Sequence, residues 1–258
     1  MGADPRIGAR LGELPSRSAD AGSGRGGEGD PAMSPDLRLQ RVLDRFELVS
    51  GIGEPREGTA CVVSLAAHLA GEGHTDRPAC ASPLVRAFAI PVNDHMPRGA
   101  RQRLKPFAPR LIGTNDGLDR ARAEVLRRAL VEAILPAASG ERRASPPDGG
   151  PAWRRAGLVR RLRTRLLRGA LLRRIDGLLE EAESGRGRGQ EVELAGAAGD
   201  LLALCGRDAW DEREAEWCWD QAIGLLDRLC EVDAQGRPGA AVGVGVRAGG
   251  PALLETGS

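Results

Sequence analysis

Tyrosine is absent from this 258-residue chain, and only three phenylalanines and four tryptophans supply aromatic side chains. A packed core must therefore consist mainly of aliphatic residues and alanine, and a hydrophobic content of 41% is enough for one domain of ordinary size. The positively charged residues are almost all arginine, with Lys105 as the single lysine. Because the formal net charge is only +1, no overall field draws the chain toward nucleic acid or a membrane surface.

Cysteine pairs with metal-binding or redox spacing are also missing. The five cysteines are scattered, and none forms a CxxC pair, which argues against a disulfide framework and is typical of a reducing compartment. No apolar run approaches the length of a membrane span, and the first residues lack the apolar core of a signal peptide. We therefore expect a cytoplasmic protein with no membrane span.

Motifs that would indicate an enzyme do not occur either. The sequence contains no G-x-S-x-G, no G-x-x-x-x-G-K-[ST], no H-E-x-x-H and no G-x-G-x-x-G after a strand. No positive signal for a catalytic mechanism or a cofactor remains. We expect no cofactor and leave enzymatic activity open, while favouring a non-enzymatic protein.

Helical periodicity dominates what is present, and it predicts an all-α fold: an irregular helical bundle with disordered N- and C-terminal tails. Residues 1–33 and 234–258 hold few large apolar residues and are the predicted tails. Helical signals fill residues 34–136 and 152–233, and residues 137–151 have the composition of a linker. The second helical region is expected to pack on or beside the first, in one bundle or in two joined halves.

Local signals place several helix ends. Ser34-Pro35 and Ser82-Pro83 are typical helix starts, and Thr59 is a candidate cap for the helix that follows it. Pro91 falls inside a helical pattern and is expected to kink or shorten that helix, and Pro136 is expected to close another. No alternating pattern predicts a strand.

Residues 50–135 carry a familiar order of signals, of which "LAGEGHTDRPAC" (residues 69–80) is the most specific. This part of the chain resembles a group of bacterial proteins from GC-rich genomes that share the pattern LAGE-x-HTD-x-P-x-C, and residues 209–233 resemble them more loosely. The resemblance implies a helical fold and no established activity. Pro91 departs from the group, in which the matching helix runs on unbroken.

The stretch 68–80 is the first candidate for chemistry, because it concentrates histidine, acidic and cysteine side chains. His74, Asp76 and Cys80 are of the types that bind zinc, but their spacing matches no familiar zinc motif. The same loop offers a thiol nucleophile with a histidine beside it. A metal-dependent or thiol enzyme centred on residues 61–80 is therefore an alternative to a structural loop between two helices.

The arginine-rich stretch 154–174 is the second candidate, with nine arginines and no acidic residue. Its first half predicts opposite apolar and basic helix faces, and after Gly169 the apolar positions swing to the other side. We expect two packing partners for one long helix, or a break near Gly169. The apolar face comprises Leu158, Val159, Leu162 and Leu166, and the basic face comprises Arg160, Arg161, Arg165 and Arg168.

Two roles are open for these arginines. They could contact phosphates of nucleic acid without reading its sequence. They could instead lie beside the acidic stretch 208–233, which holds nine acidic residues, inside one bundle. The small net charge favours the intramolecular role, and nucleic-acid binding is possible but not favoured.

The tryptophans near the end of the chain are the third candidate. Trp219 falls on an apolar stripe and is expected in the core. Trp210 and Trp217 are seven residues apart and form an exposed pair if the helix begins before Trp210. Alternatively, Asp211 caps the helix with Glu214 completing a capping box, and Trp210 packs outside it.

From these features we expect a non-enzymatic helical protein that acts by binding another protein. Its predicted interaction surface comprises Trp210, Trp217 and the basic face with Arg160, Arg161, Arg165 and Arg168. The identity of the protein partner is unknown.

Overall fold

The structure is a computed structural model, and it describes residues 35–139, 151–183, 189–209 and 211–233. For Pro35, Glu183 and residues 151–162 it describes the backbone alone. The predicted tails and most of the predicted linker lie outside the described residues.

Helices account for nearly all the regular structure of the described residues, so the predicted all-α class is confirmed. One correction is a short parallel pair of strands, in which Glu47 lies opposite Thr59 and Leu48 opposite Ala60. In chain order the elements are α1 (Pro35–Arg45), β1 (Glu47–Leu48), a 3₁₀ turn (Pro55–Glu57), β2 (Thr59–Ala60), α2 (Val62–Leu69), α3 (Pro83–His95), α4 (Arg98–Arg101), a second 3₁₀ turn (Gln102–Leu104), α5 (Phe107–Leu111), α6 (Asp119–Ala129), a π turn (Leu130–Ile134), α7 (Leu135–Ala138), α8 (Pro151–Glu183), α9 (Gln190–Arg207) and α10 (Glu212–Cys230).

The start of α2 differs from the prediction that Thr59 caps it. Thr59 lies in β2, where its hydroxyl accepts a hydrogen bond from the Glu54 amide at 2.9 Å. The capping atom is instead the sulfur of Cys61, which accepts from the Ser64 amide at 3.1 Å. A strand pairing therefore uses the residues that a simple capping signal assigns to a helix end.

Both prolines that were expected to disturb helices are accommodated. Pro91 lies inside α3, which runs from Pro83 to His95. Pro136, expected to close a helix, lies in the first turn of α7, so helical structure continues to Ala138. Ahead of it the chain forms a π turn, in which the Leu135 amide donates to the Leu130 carbonyl. This wider turn accommodates a residue that has no amide hydrogen to donate.

Helix α9 is the centre of the packing. Its contact with α3 is the most extensive between any two described helices, and it also packs against α8, α10 and α6. The hydrophobic core is one cluster that includes Phe88 of α3 and Leu201 of α9, both fully buried. The second helical region therefore packs on the first.

Helix α8 is a single helix of 33 residues, so the predicted break near Gly169 does not occur. At about 1.5 Å per residue it is about 50 Å long, whereas the 18 residues of α9 span about 27 Å. Thr164 donates a hydrogen bond to Asp208, the residue that follows α9, at 2.7 Å. The part of α8 before Thr164 therefore extends past the end of α9. Among the described helices, none combines the length and apolar character needed to cross a bilayer.

Candidate functional site

The loop between α2 and α3 is held closed by Glu72. Its carboxylate accepts hydrogen bonds from the backbone amides of Ala79 and Cys80, the latter at 2.7 Å. The Cys80 carbonyl in turn accepts from the Gly113 amide at 2.9 Å. Burial raises the pKa of Glu72, but hydrogen bonds from the two amides outweigh it and hold the pKa below its ordinary value. These contacts support the interpretation of residues 72–80 as a structural loop.

The three candidate metal ligands of this loop do not converge. The Nδ1 atom of His74 lies 3.2 Å from the hydroxyl of Ser64, a fully buried residue of α2. Asp76 is exposed, and the backbone of Cys80 is engaged with Glu72 and Gly113. Within the described residues, no group of three or more histidine, cysteine, aspartate or glutamate side chains is placed to hold a metal ion.

The thiols of this region are protonated near neutral pH. Burial, together with the hydrogen bond and negative charge of Glu72, raises the pKa of Cys80 to about 11. Burial also raises the pKa of Cys61, whose sulfur caps α2. Because the thiolate is the reactive form of cysteine, both environments disfavour the thiol-enzyme alternative.

A groove of about 420 Å³ lies between α3 and α9, lined in part by Asp94, His95 and Asp200. Burial raises the pKa of Asp200, and the nearby His95 opposes this effect. Asp94 is engaged structurally, because its Oδ1 accepts from the Gly51 amide at 2.8 Å and from Asn93 at 3.1 Å. Asn93 and Asp94 near the end of α3 therefore bond to backbone and side-chain groups of the protein itself.

The start of α10 follows the capping alternative of the sequence. Helix α10 begins at Glu212, and the Asp211 side chain accepts from the Glu214 amide at 2.7 Å, as in the capping alternative. Trp217 is half-buried against the core, and Trp219 is buried as predicted. Trp210 lies outside the described residues. The requirement for an exposed tryptophan pair, a helix that begins before Trp210, is not met.

Two residues at the end of the arginine-rich stretch of α8, Arg168 and Leu166, are placed opposite to the prediction. Arg168, predicted on the exposed basic face, is only 8% exposed, whereas Leu166 of the apolar face is 73% exposed. The reason is the second half of the helix, which packs on α9 through Ile175. Arg168 precedes Ile175 by seven residues, or two turns, and so lies on the same side of α8. The apolar stripe of the first half therefore faces away from α9 at Leu166.

Exposed groups surround Leu166. Leu167 is 44% exposed, and both Arg163 and Arg165 are exposed. Neither arginine forms an ion pair with a described residue. Arg160 and Arg161 were predicted on the same face as Arg165, but their side chains lie outside the described part of the structure. We define Arg163, Arg165, Leu166 and Leu167 as the α8 surface.

The acidic helix α10 has different partners from those predicted. Its Asp220 pairs with Arg103 at 2.5 Å, and its Asp227 pairs with Arg110 at 2.6 Å. Helix α8 is joined instead to α9, through Arg174 and Glu193 at 2.8 Å. Three of the nine acidic residues expected beside the arginine-rich helix, Asp220, Asp227 and Glu231, are thus paired with arginines of the first helical region, whereas Asp208 accepts a hydrogen bond from Thr164 of α8.

Neither a protein-family model, nor a curated protein, nor a solved structure matches this chain. The resemblance of residues 50–135 to helical bacterial proteins stays a prediction. The functional interpretation therefore depends on the geometry of the α8 surface and the loop.

Proposed function

We propose that this chain is a non-enzymatic α-helical protein that binds an acidic amphipathic helix of a protein partner through the α8 surface. The observation that carries the proposal is the 73% exposure of Leu166 on a helix whose opposite side is packed. Large apolar side chains that are exposed next to one another mark protein-binding surfaces more often than other surfaces. Leu166 and Leu167 are both exposed large apolar side chains, and as consecutive helical residues they point about 100° apart.

The chemistry of the partner follows from the charges beside these leucines. Arg163 and Arg165 are exposed and lack acidic partners among the described residues, so they favour a ligand with carboxylates. A helix is the expected shape, because a partner helix can lay its apolar stripe along α8 and place acidic residues at its edges.

A designed peptide tests this proposal directly. The probe is a helical peptide with leucines at heptad spacing and glutamates at the flanking positions, labelled for fluorescence anisotropy. We expect the full chain to bind it, and Leu166→Asp to weaken binding at least about tenfold, since burying one leucine contributes about 1.5–3 kcal/mol. Val131→Asp is the matched control, because Val131 is 57% exposed on a different helical segment.

Wild type and its variants also distinguish two other possible ligands of the α8 surface. Mixed-sequence nucleic acid would bind with a steep salt dependence. The double variant Arg163→Glu/Arg165→Glu would lose this binding, whereas Leu166→Asp would retain it. A second copy of the chain would appear as a dimer in sedimentation, and Leu166→Asp would dissociate it. Either result, without binding of the acidic peptide, contradicts the proposed partner.

A further inference from the structure

The groove between α3 and α9 is formed by one side of each helix. Positions three, four and seven residues apart project from the same side of a helix, so each wall of the groove is continuous. Its volume of about 420 Å³ lies in the range of small-molecule sites. The lining residues are Ala87, Ile90, Pro91, Asp94 and His95 of α3 and Gly196 and Asp200 of α9.

The two ends of the groove differ in chemistry, because α9 runs beside α3 in the same direction. A β-carbon on Gly196 would lie 3.9 Å from the Ala87 carbonyl oxygen. A β-carbon on Gly199, further along α9, would lie 2.7 Å from the Cγ atom of Pro91, further along α3. The end at Ala87 is therefore apolar, and the end reached by Asp200 is acidic.

The carboxylates at the acidic end keep unused acceptor atoms. Asp200 is half-buried and forms neither a hydrogen bond nor an ion pair with a described residue. Two basic side chains act on it at longer range: His95 is exposed, and Arg174 is bound to Glu193 at 2.8 Å. In its hydrogen bonds to described residues, Asp94 uses only Oδ1, which leaves Oδ2 for a ligand. Because a half-buried charge without a partner is costly, this end favours a cation.

An acceptor without its usual partner also lies at the apolar end. Pro91 has no amide hydrogen, so the Ala87 carbonyl lacks the donor that an uninterrupted helix supplies. This oxygen lies opposite Gly196, which has no side chain to cover it. Between the two ends, Ile90 and Pro91 supply aliphatic surface. The groove therefore combines acceptors at both ends with an apolar middle.

We propose that the groove between α3 and α9 binds a linear aliphatic diamine. One ammonium group donates hydrogen bonds to the carboxylates of Asp94 and Asp200, and the other donates to the Ala87 carbonyl. The carbon chain between them lies along Ile90 and Pro91.

The length of the groove fits a short diamine. Ala87 and Asp94 are about 10 Å apart along α3, and helical side chains lean toward the N-terminus, which brings the Asp94 carboxylate closer to Ala87. An inorganic cation matches less well, because the described residues include no group of three ligands placed to hold a metal ion. The α8 surface consists of other residues, so this site is independent of the proposed partner helix.

Isothermal titration calorimetry of the full chain with cadaverine tests the proposal. We expect saturable binding to wild type and at least about tenfold weaker binding to Asp200→Asn, because a hydrogen bond between two charged groups is lost. Asp176→Asn, at an exposed aspartate of α8, is the matched control and should bind like wild type. A wild-type chain that binds no cadaverine, or equal affinity of wild type and Asp200→Asn, overturns the proposal.

Two further titrations test where the diamine lies. Gly196→Leu should weaken binding because its side chain fills the groove, whereas Gly224→Leu, at an exposed glycine of α10, should not. n-Pentylamine should bind more weakly than cadaverine, since it lacks the second ammonium group. Equal affinity for the two amines, or wild-type affinity of Gly196→Leu, contradicts the assigned site. If Gly196→Leu does not fold, Asp200→Asn and the comparison of the two amines still decide.

Discussion

Gly199 of α9 lies directly against the ring of Pro91 in α3. A β-carbon on Gly199 would lie 2.7 Å from the Pro91 Cγ atom and 2.7 Å from the Phe88 carbonyl oxygen. The contact between α3 and α9 is the most extensive between two described helices. At this contact a glycine leaves room for a proline inside the other helix. A helix that contains proline is stabilised by its partner here.

This relationship predicts that Gly199→Ala destabilises the protein. The added methyl group overpacks the helix contact at a cost of about 1–3 kcal/mol, partly offset by about 1 kcal/mol of better helix propensity. The difference is an expected net loss of up to about 2 kcal/mol in urea unfolding. Gly224→Ala is the matched control, because Gly224 is also helical and a β-carbon there meets nothing within 4 Å. Equal effects of the two substitutions would contradict the packing.

A second prediction concerns the buried guanidinium of Arg122. It is 1% exposed, donates to the Leu229 carbonyl at 2.9 Å, and forms two hydrogen bonds with Asp116 at 2.6 and 2.8 Å. Asp116→Asn removes the main countercharge, and we expect a loss of about 3 kcal/mol in the free energy of unfolding. Asp176→Asn, at an exposed aspartate of α8, should change stability little.

The stabilisation by Asp116 should depend on pH with a defined sign. Hydrogen bonds from Arg122 hold the pKa of Asp116 below its ordinary value of 3.8. A carboxylate with a lowered folded-state pKa stabilises the fold fully above its unfolded pKa and loses that contribution as the pH falls through the folded value. The stability difference between wild type and Asp116→Asn should be constant from about pH 5 to 8 and shrink below about pH 4. A difference that does not shrink at all as the pH falls below about 4 would contradict the pairing.

A third prediction concerns Cys80, whose pKa is raised to about 11 by burial and by Glu72. Removing the negative charge with Glu72→Gln should lower this pKa, so that alkylation of Cys80 by iodoacetamide begins at lower pH. The midpoint of the rate profile, read from the Cys80 peptide, separates this effect from better access to the loop. Glu132→Gln, at an exposed glutamate of the π turn, should leave the midpoint where it is.

The helical class of the fold could be predicted from the sequence because the apolar spacing of most helices matches their buried faces. Asp211 as a cap and Trp219 in the core are examples in which a local signal and the tertiary structure agree. At Thr59 they do not agree, and at Pro91 the helix is not shortened, which was one of the two expected outcomes. A short strand pairing uses Thr59, and packing against Gly199 accommodates Pro91; both depend on residues far away in the chain.

The candidate site was harder to predict for the same reason. The swing of the apolar stripe at Gly169 indicated that the two halves of α8 face different directions. Which half faces the core depends on the packing of Ile175 against α9. The sequence pattern of α8 holds no information about this packing.

The central claim is that the α8 surface binds an acidic partner helix, and the most direct measurement is the affinity of the labelled acidic peptide for wild type, Leu166→Asp and Val131→Asp. Leu166 is 73% exposed, so its substitution should leave thermal stability nearly unchanged. The account predicts binding by wild type and Val131→Asp and at least about tenfold weaker binding by Leu166→Asp. Equal affinity of Leu166→Asp and wild type, in proteins of equal stability, would contradict it.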